Sequence, residues 1–265
     1  MLLYQLPTDI SSKFTPHSIN ASSKDTYSKS VLLIAFIVAA THLLIIYRDN
    51  IAAQREYQAL RDYAPSQEVI IEPSSNTNNE SITNDSDTES HISESTLHLL
   101  EINKEYIGWI RIDGTNIDYP MAQAENNFKY LQLTFAGEEN VSGAIFMDFR
   151  VRGFNDPFVL IHGHNVENGT MFAELEKFLD ESFLEEYSEI SIHTVHDKEL
   201  IFRVFDVKIV DVSDEIFELI RTDRQTVRDY LAAINAPQDT EQLLVLSTCF
   251  GDDDKYRLLI LARPT

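Results

Sequence analysis

The sequence predicts a mainly β protein, a closed or nearly closed barrel with inserted helices, preceded by one transmembrane helix. Three observations carry that expectation. The C-terminal part holds seven short runs of strand-like composition separated by turn residues, without the strand-helix alternation that builds a parallel α/β sheet. Only two segments there place apolar residues at helical spacing. Far upstream lies one uncharged apolar run, separated from the rest by a stretch made almost wholly of Ser, Thr, Asn, Asp and Glu.

That run is SVLLIAFIVAATHLLIIY, Ser30 to Tyr47, bracketed by Lys29 and Arg48. A bilayer core needs roughly 17 to 25 residues of helix, and this run meets it. A cleaved signal peptide is the competing reading, since Val38, Ala39 and Ala40 resemble a cleavage site. The apolar character continues through Leu43, Leu44, Ile45 and Ile46, and the polar region before it is long, which favours an uncleaved anchor. Lys24 and Lys29 against Arg48 and Arg55 give little charge bias. The expected topology is a cytoplasmic segment over 1–29, a span over 30–47 and an exterior C-terminus. A stalk and tether over 48–96 follow: Ile51 to Ala64 reads as a short helix with a mixed face, and Ser74 to Thr96 as a solvated tether that cannot offset its ordering entropy. Asn79 and Asn84 stand in glycosylation-acceptor patterns of little weight in such composition. The folded domain is expected over 97–265.

Within it the strand-like runs are Tyr106–Ile112, Gly143–Asp148, Phe158–Gly163, Glu189–Thr194, Leu200–Val210, Leu243–Cys249 and Tyr256–Ala262. Gly169–Tyr187 has helical periodicity, and Thr222–Pro237 reads as a helix with a polar start and a proline closing it. Hydrophobic residues make up 43% of the chain, so the net charge of −22 belongs to a folded protein with an acidic surface. No basic patch is present to neutralise phosphates, which excludes nucleic acid as an expected partner.

Cys249 is the only cysteine. Outside the membrane it has no intramolecular partner, so it is an inert buried residue, half of an intermolecular bridge, or a nucleophile. It stands at the end of a predicted strand, and Arg257 opens the next. A guanidinium favours a thiolate and stabilises an oxyanion. Arg257 has a competing reading as a surface residue paired with Asp252, Asp253 or Asp254. A nucleophilic cysteine needs an acid/base partner. His17, His42, His91 and His98 lie in or beside the tail, span and tether, and His193 and His196 flank a strand end, which leaves His162 and His164 of FVLIHGHNVENGTMF. An H-x-H metal pair there lacks further ligands, so no metal or cofactor is expected. Gly163 suggests that the strand ends at His162 and that His164 leads the loop.

GHNVENGTMF after a strand, the strand-end LSTC and an arginine at C-x7-R together resemble the signature of sortases, cysteine transpeptidases of Gram-positive cell surfaces. YLQLTFAGEENVSGAIFMDFR with LIHGHN and LSTC is similar to class B members, and the likeness runs from about Leu97 to the C-terminus. The family pattern T-L-x-T-C reads VLSTC here; Val245 in its first position is expected to be a matter of packing. The resemblance implies an eight-stranded barrel with an N-terminal helical piece near Ser95–Glu105 and a helix at Arg224–Ile234. It implies Cys249 as the nucleophile on a sorting-signal peptide, His164 as the proton carrier and Arg257 as the oxyanion cation. Ser247, Thr248, Asn127 and Leu131 resemble positions of the peptide groove, with plain packing as the alternative for each. The implied partners are the sorting signal of a secreted surface protein, a peptidoglycan precursor or cross-bridge amine, and the lipid bilayer through the N-terminal helix. A cysteine endopeptidase that ignores added amine and a non-catalytic anchored binding module remain the rival readings.

Overall fold

The computed structural model describes residues 21–65, 92–251 and 255–265, in two units, Met1–Arg48 and Asp49–Thr265. Helix α1 (Ala21–Leu60) begins in the first. From Lys29 it is long and apolar enough to cross a membrane. Leu32, Phe36 and Leu43 are 67%, 70% and 67% exposed, as suits a helix surface made for lipid rather than for a protein core.

In the second unit the end of α1 is part of the folded body. Ala53, Tyr57 and Leu60, at i, i+4 and i+7, lie on one helix face and are buried. The Tyr57 hydroxyl donates to Gly143 O at 2.7 Å and accepts from Phe135 N at 3.2 Å. The helix expected at Ile51–Ala64 is therefore present, and its end packs on the barrel within the unit Asp49–Thr265. Burying an aliphatic or aromatic side chain contributes about 1.5–3 kcal/mol, enough for Tyr57 and Leu60 to fix this helix. Most of the expected tether, with Asn79 and Asn84, lies outside the described residues. Its last residues open α2 (Glu94–Ile102): Ser93 caps the helix by accepting from Thr96 N, and the hydroxyls of Ser93 and Thr96 each donate to Asp197 Oδ1 at 2.9 Å. Here Ser and Thr serve as caps rather than solvated chain.

Eight strands follow: β1 (Tyr106–Ile112), β2 (Asp118–Ala122), β3 (Ile145–Met147), β4 (Phe158–His162), β5 (Glu189–Thr194), β6 (Glu199–Asp211), β7 (Leu243–Phe250) and β8 (Tyr256–Pro264). They close in the order β1-β2-β3-β4-β7-β8-β6-β5. Two neighbouring pairs, β2 with β3 and β4 with β7, are parallel and the rest antiparallel. Strand β2 escapes sequence reading because Pro120 sits inside five residues. It is tolerated because β3 pairs only with Met121 and Ala122, beyond the proline. The helix expected over Gly169–Tyr187 is instead a 3₁₀ segment, Ala173–Leu179, and α4 (Glu181–Glu186). Asp180 separates them in an extended conformation (φ −92°, ψ 118°) and caps the second through Ser182 N. The short α3 (Lys129–Gln132) precedes β3, and α5 (Arg224–Ala233) precedes β7, capped by Asp223 and packed through Val227 and Leu231.

Tyr57→Phe keeps the ring and leaves two buried backbone groups, Gly143 O and Phe135 N, without their partner. We expect a loss of about 1–3 kcal/mol in unfolding free energy, read as a lower midpoint in thermal unfolding of the detergent-solubilised chain. An unchanged midpoint would return this helix to the role of a free stalk.

Candidate active site

The site is assembled by strand register. In the parallel pair of β4 and β7, Phe158 lies opposite Leu243 and His162 opposite Ser247. Just past the end of β4, Gly163 N donates to Ser247 O at 3.1 Å, so the chain leaving β4 stays beside the end of β7. On the other side of β7, Cys249 and Arg257 are directly opposed across the antiparallel pair with β8. Residues opposed across a ladder share a face, so the thiol and the guanidinium belong to one side of the sheet. Both are half-buried.

His164 is held by loops. Its Nε2 lies 2.9 Å from Leu131 O, and because a carbonyl only accepts, that nitrogen carries the proton. Phe172 N donates to His164 O, and Asn165 Nδ2 donates to Cys249 O at 3.1 Å, tying the histidine loop to the cysteine strand. Two glycines make room for this. A Cβ on Gly163 would meet Ile145 Cδ1 at 2.5 Å and Phe172 at 2.7 Å, and Gly143, at φ +58°, brings its backbone within a Cβ's reach of His164 Cδ2. Arg257 Nη1 donates to Tyr256 O at 2.9 Å. Its suggested partners Asp252, Asp253 and Asp254 lie outside the described residues.

His162 and His164 turn to different partners. His162 Nε2 donates to Asp148 Oδ2 at 3.2 Å, where a fully buried carboxylate also accepts from Arg150 and Asn127. Burial alone would raise the Asp148 pKa; the hydrogen bonds from Arg150 and His162 outweigh it and hold the carboxyl well below the usual carboxylate range. Among the described residues no group of three or more His, Cys, Asp and Glu is arranged to hold a metal ion.

The four groove candidates fare differently. Leu131 keeps a partly open side chain on a surface groove of about 910 Å³, beside Phe128 and Val141, while its carbonyl holds the histidine. Asn127 spends both ends of its amide inside the protein, donating to Asp148 Oδ2 at 2.8 Å and accepting from Phe149 N at 2.9 Å. Ser247 and Thr248 are buried, and Thr248 Oγ1 has no partner among the described residues. Val245, the departure from the motif, is fully buried in the barrel wall. Sequence reasoning missed Asn165, Gly143 and the Leu131 carbonyl. Asn165 adjoins the histidine and was within reach; a backbone acceptor 33 residues upstream has no sequence signal.

A family model described as Sortase domain matches residues 110–265. Sortase B of Staphylococcus aureus is 33% identical over 184 residues, covering 62% of this chain and 72% of the relative. Among solved structures, a mutant form of Clostridium perfringens sortase B superposes with a TM-score of 0.65 at 26% identity, covering 80% of this chain and 98% of that one. A Staphylococcus aureus sortase B–substrate complex gives 0.59 at 28% identity, covering 66% and 86%. The closed barrel is thus one that solved class B sortases share, and the chain belongs to the sortase family of cysteine transpeptidases.

Proposed function

We propose that this sortase cleaves the C-terminal sorting signal of secreted surface proteins through a thioester on Cys249 and transfers the acyl part to a peptidoglycan amine. The observations that support the reading are that Arg257 lies directly opposite Cys249 across β7 and β8 and that Asn165, next to His164, donates to Cys249 O. The Cys249 sulfur attacks the scissile carbonyl carbon, and Arg257 stabilises the oxyanion of the tetrahedral intermediate. The C–N bond then breaks, and the departing amine takes a proton from His164. In the second half the acceptor nitrogen forms the new amide bond, the C–S bond breaks, sulfur leaves as thiolate, and the acceptor's proton passes to His164. With Nε2 engaged by Leu131 O, Nδ1 is the nitrogen that exchanges these protons. Leu131 remains the groove residue with an open side chain; Asn127, Ser247 and Thr248 support the groove from within.

The same proposal places the chain in the cell membrane as a single-pass protein, N-terminus cytoplasmic and catalytic unit outside. The support is the exposed apolar surface of α1 over Val31–Ile46.

A shared acyl intermediate divides between water and amine by concentration and access. Added hydroxylamine is therefore expected to raise cleavage of a sorting peptide and give a hydroxamate, while Cys249→Ala and His164→Ala abolish both; product masses report the outcome. Amine-insensitive cleavage that still needs Cys249 would favour an endopeptidase, and a thiol inert to alkylation a binding module. Arg257→Lys keeps the charge but loses the planar fork. We expect a fall in kcat/KM of about 10²-fold or more, and near-normal turnover would remove Arg257 from the chemistry.

A further inference from the structure

Strands β4 and β7 run side by side toward His162 and Cys249, so their first residues, Phe158 and Leu243, mark the other end of the barrel. Strand β6 starts at that end too, where Phe202 lies opposite Pro264 at the close of β8. A cavity of about 340 Å³ opens there, in the mouth of the barrel remote from the thiol. Barrel mouths are common places for small-molecule sites, and this volume falls at the lower end of their usual range of roughly 300–1,000 Å³.

The wall of the cavity is apolar. Met147 is buried in it, and Ile107, Phe154, Val195 and Leu200 are partly buried. The rim is basic, in a chain whose net charge is −22. His196 and Lys198 line it from the β5–β6 turn, one on each side of Asp197 in the sequence. The Asp197 carboxylate does not neutralise them, because it accepts from Ser93 N, Ser93 Oγ, Thr96 Oγ1 and His193 Nε2. Glu199 accepts from Ser191 Oγ at 2.9 Å, and Asp156 holds Arg152 at 3.0 Å. Every carboxylate beside the rim thus has other work. The His196 ring, the Lys198 ammonium and the Asn155 amide have no side-chain partner among the described residues.

This lining selects a ligand class. The closed barrel has no free strand edge on which an extended peptide could pair. A hydrated inorganic anion gains nothing from the apolar wall, and a plain hydrocarbon gains nothing from the rim. An engineered cavity of roughly 150 Å³ in another protein takes one benzene, so about 340 Å³ suits a body of two fused rings.

We propose that this mouth is a second ligand site, for a small amphipathic anion whose apolar body packs on Phe154, Val195 and Leu200 and whose carboxylate meets Lys198, His196 and Asn155. It is separate from the site at Cys249 and independent of the reaction assigned there.

Lys198 is exposed, so Lys198→Glu reverses the charge of the rim without touching the core. The full chain in detergent is titrated with a fluorinated naphthoate and with the matching naphthamide, its neutral counterpart. Fluorine NMR line widths report binding, and detergent alone supplies the micelle blank. The expected result is saturable binding of the naphthoate, about tenfold tighter than that of the naphthamide, the scale of one charge-assisted hydrogen bond. Lys198→Glu should abolish that preference and leave naphthamide binding unchanged. Phe154→Ala should weaken both probes, and where it fails to fold, Lys198→Glu decides alone. Equal affinity for the two probes in the unsubstituted chain overturns the proposal. A preference that survives Lys198→Glu also overturns it, since the carboxylate is then held elsewhere, at Arg257 for instance. Absence of saturable binding above the micelle blank does the same, and is the result if another part of this chain covers the mouth.

Discussion

The site depends on the two registers of strand β7. Its parallel pairing with β4 carries a constant offset from Phe158–Leu243 to His162–Ser247, and its antiparallel pairing with β8 opposes Cys249 to Arg257. A one-residue slip against β8 would turn Arg257 away from the face of the sheet that carries Cys249. The register is in turn fixed by burial: Leu243, Leu244, Val245 and Leu246, with Leu258, Leu259, Ile260 and Leu261 opposite, are fully buried. Residues at the end of β7 therefore carry chemistry because residues at its start carry the core.

Arg257 and His164, the two proposed partners of the thiol, are held by different means. Arg257 is on a strand, and its position follows from the ladder. His164 is beyond the end of β4, and its position follows from a carbonyl of α3, a glycine before β3 and an amide–carbonyl bond from Asn165 to the cysteine strand. The ladder gives a rigid setting, while loops give one that can adjust. Under the proposed mechanism that division suits His164, which serves first a departing amine and then an arriving one.

Legibility in the sequence followed the same division. The long strands β1, β5, β6, β7 and β8 were readable because each repeats apolar character between turn residues, and the His, Cys and Arg were readable because they stand at strand ends in recognisable order. Strand β2 was hidden by Pro120, whose tolerance depends on where β3 begins to pair. Gly169–Tyr187 was misread because Asp180 can cap a helix as readily as continue one. Ala53, Tyr57 and Leu60 are too few among polar neighbours to announce a buried face. Only the partner surface at Gly143 and Phe135 makes them core. Asn127, Ser247 and Thr248 resemble groove positions by motif, and a motif carries no sign that Asn127 also bonds the buried Asp148 or that Ser247 and Thr248 are buried in β7.

Gly143 joins these themes. Its carbonyl accepts from Tyr57 of α1, and its bare Cα lies under the His164 ring. A side chain there would meet Tyr130 O at 2.4 Å and His164 Cδ2 at 3.0 Å, so glycine is required both by its positive φ and by the space. The end of α1 is therefore one residue removed from the proton carrier through direct packing. The end of a helix that a polar stretch seemed to set apart from the domain proves to be part of the wall behind His164.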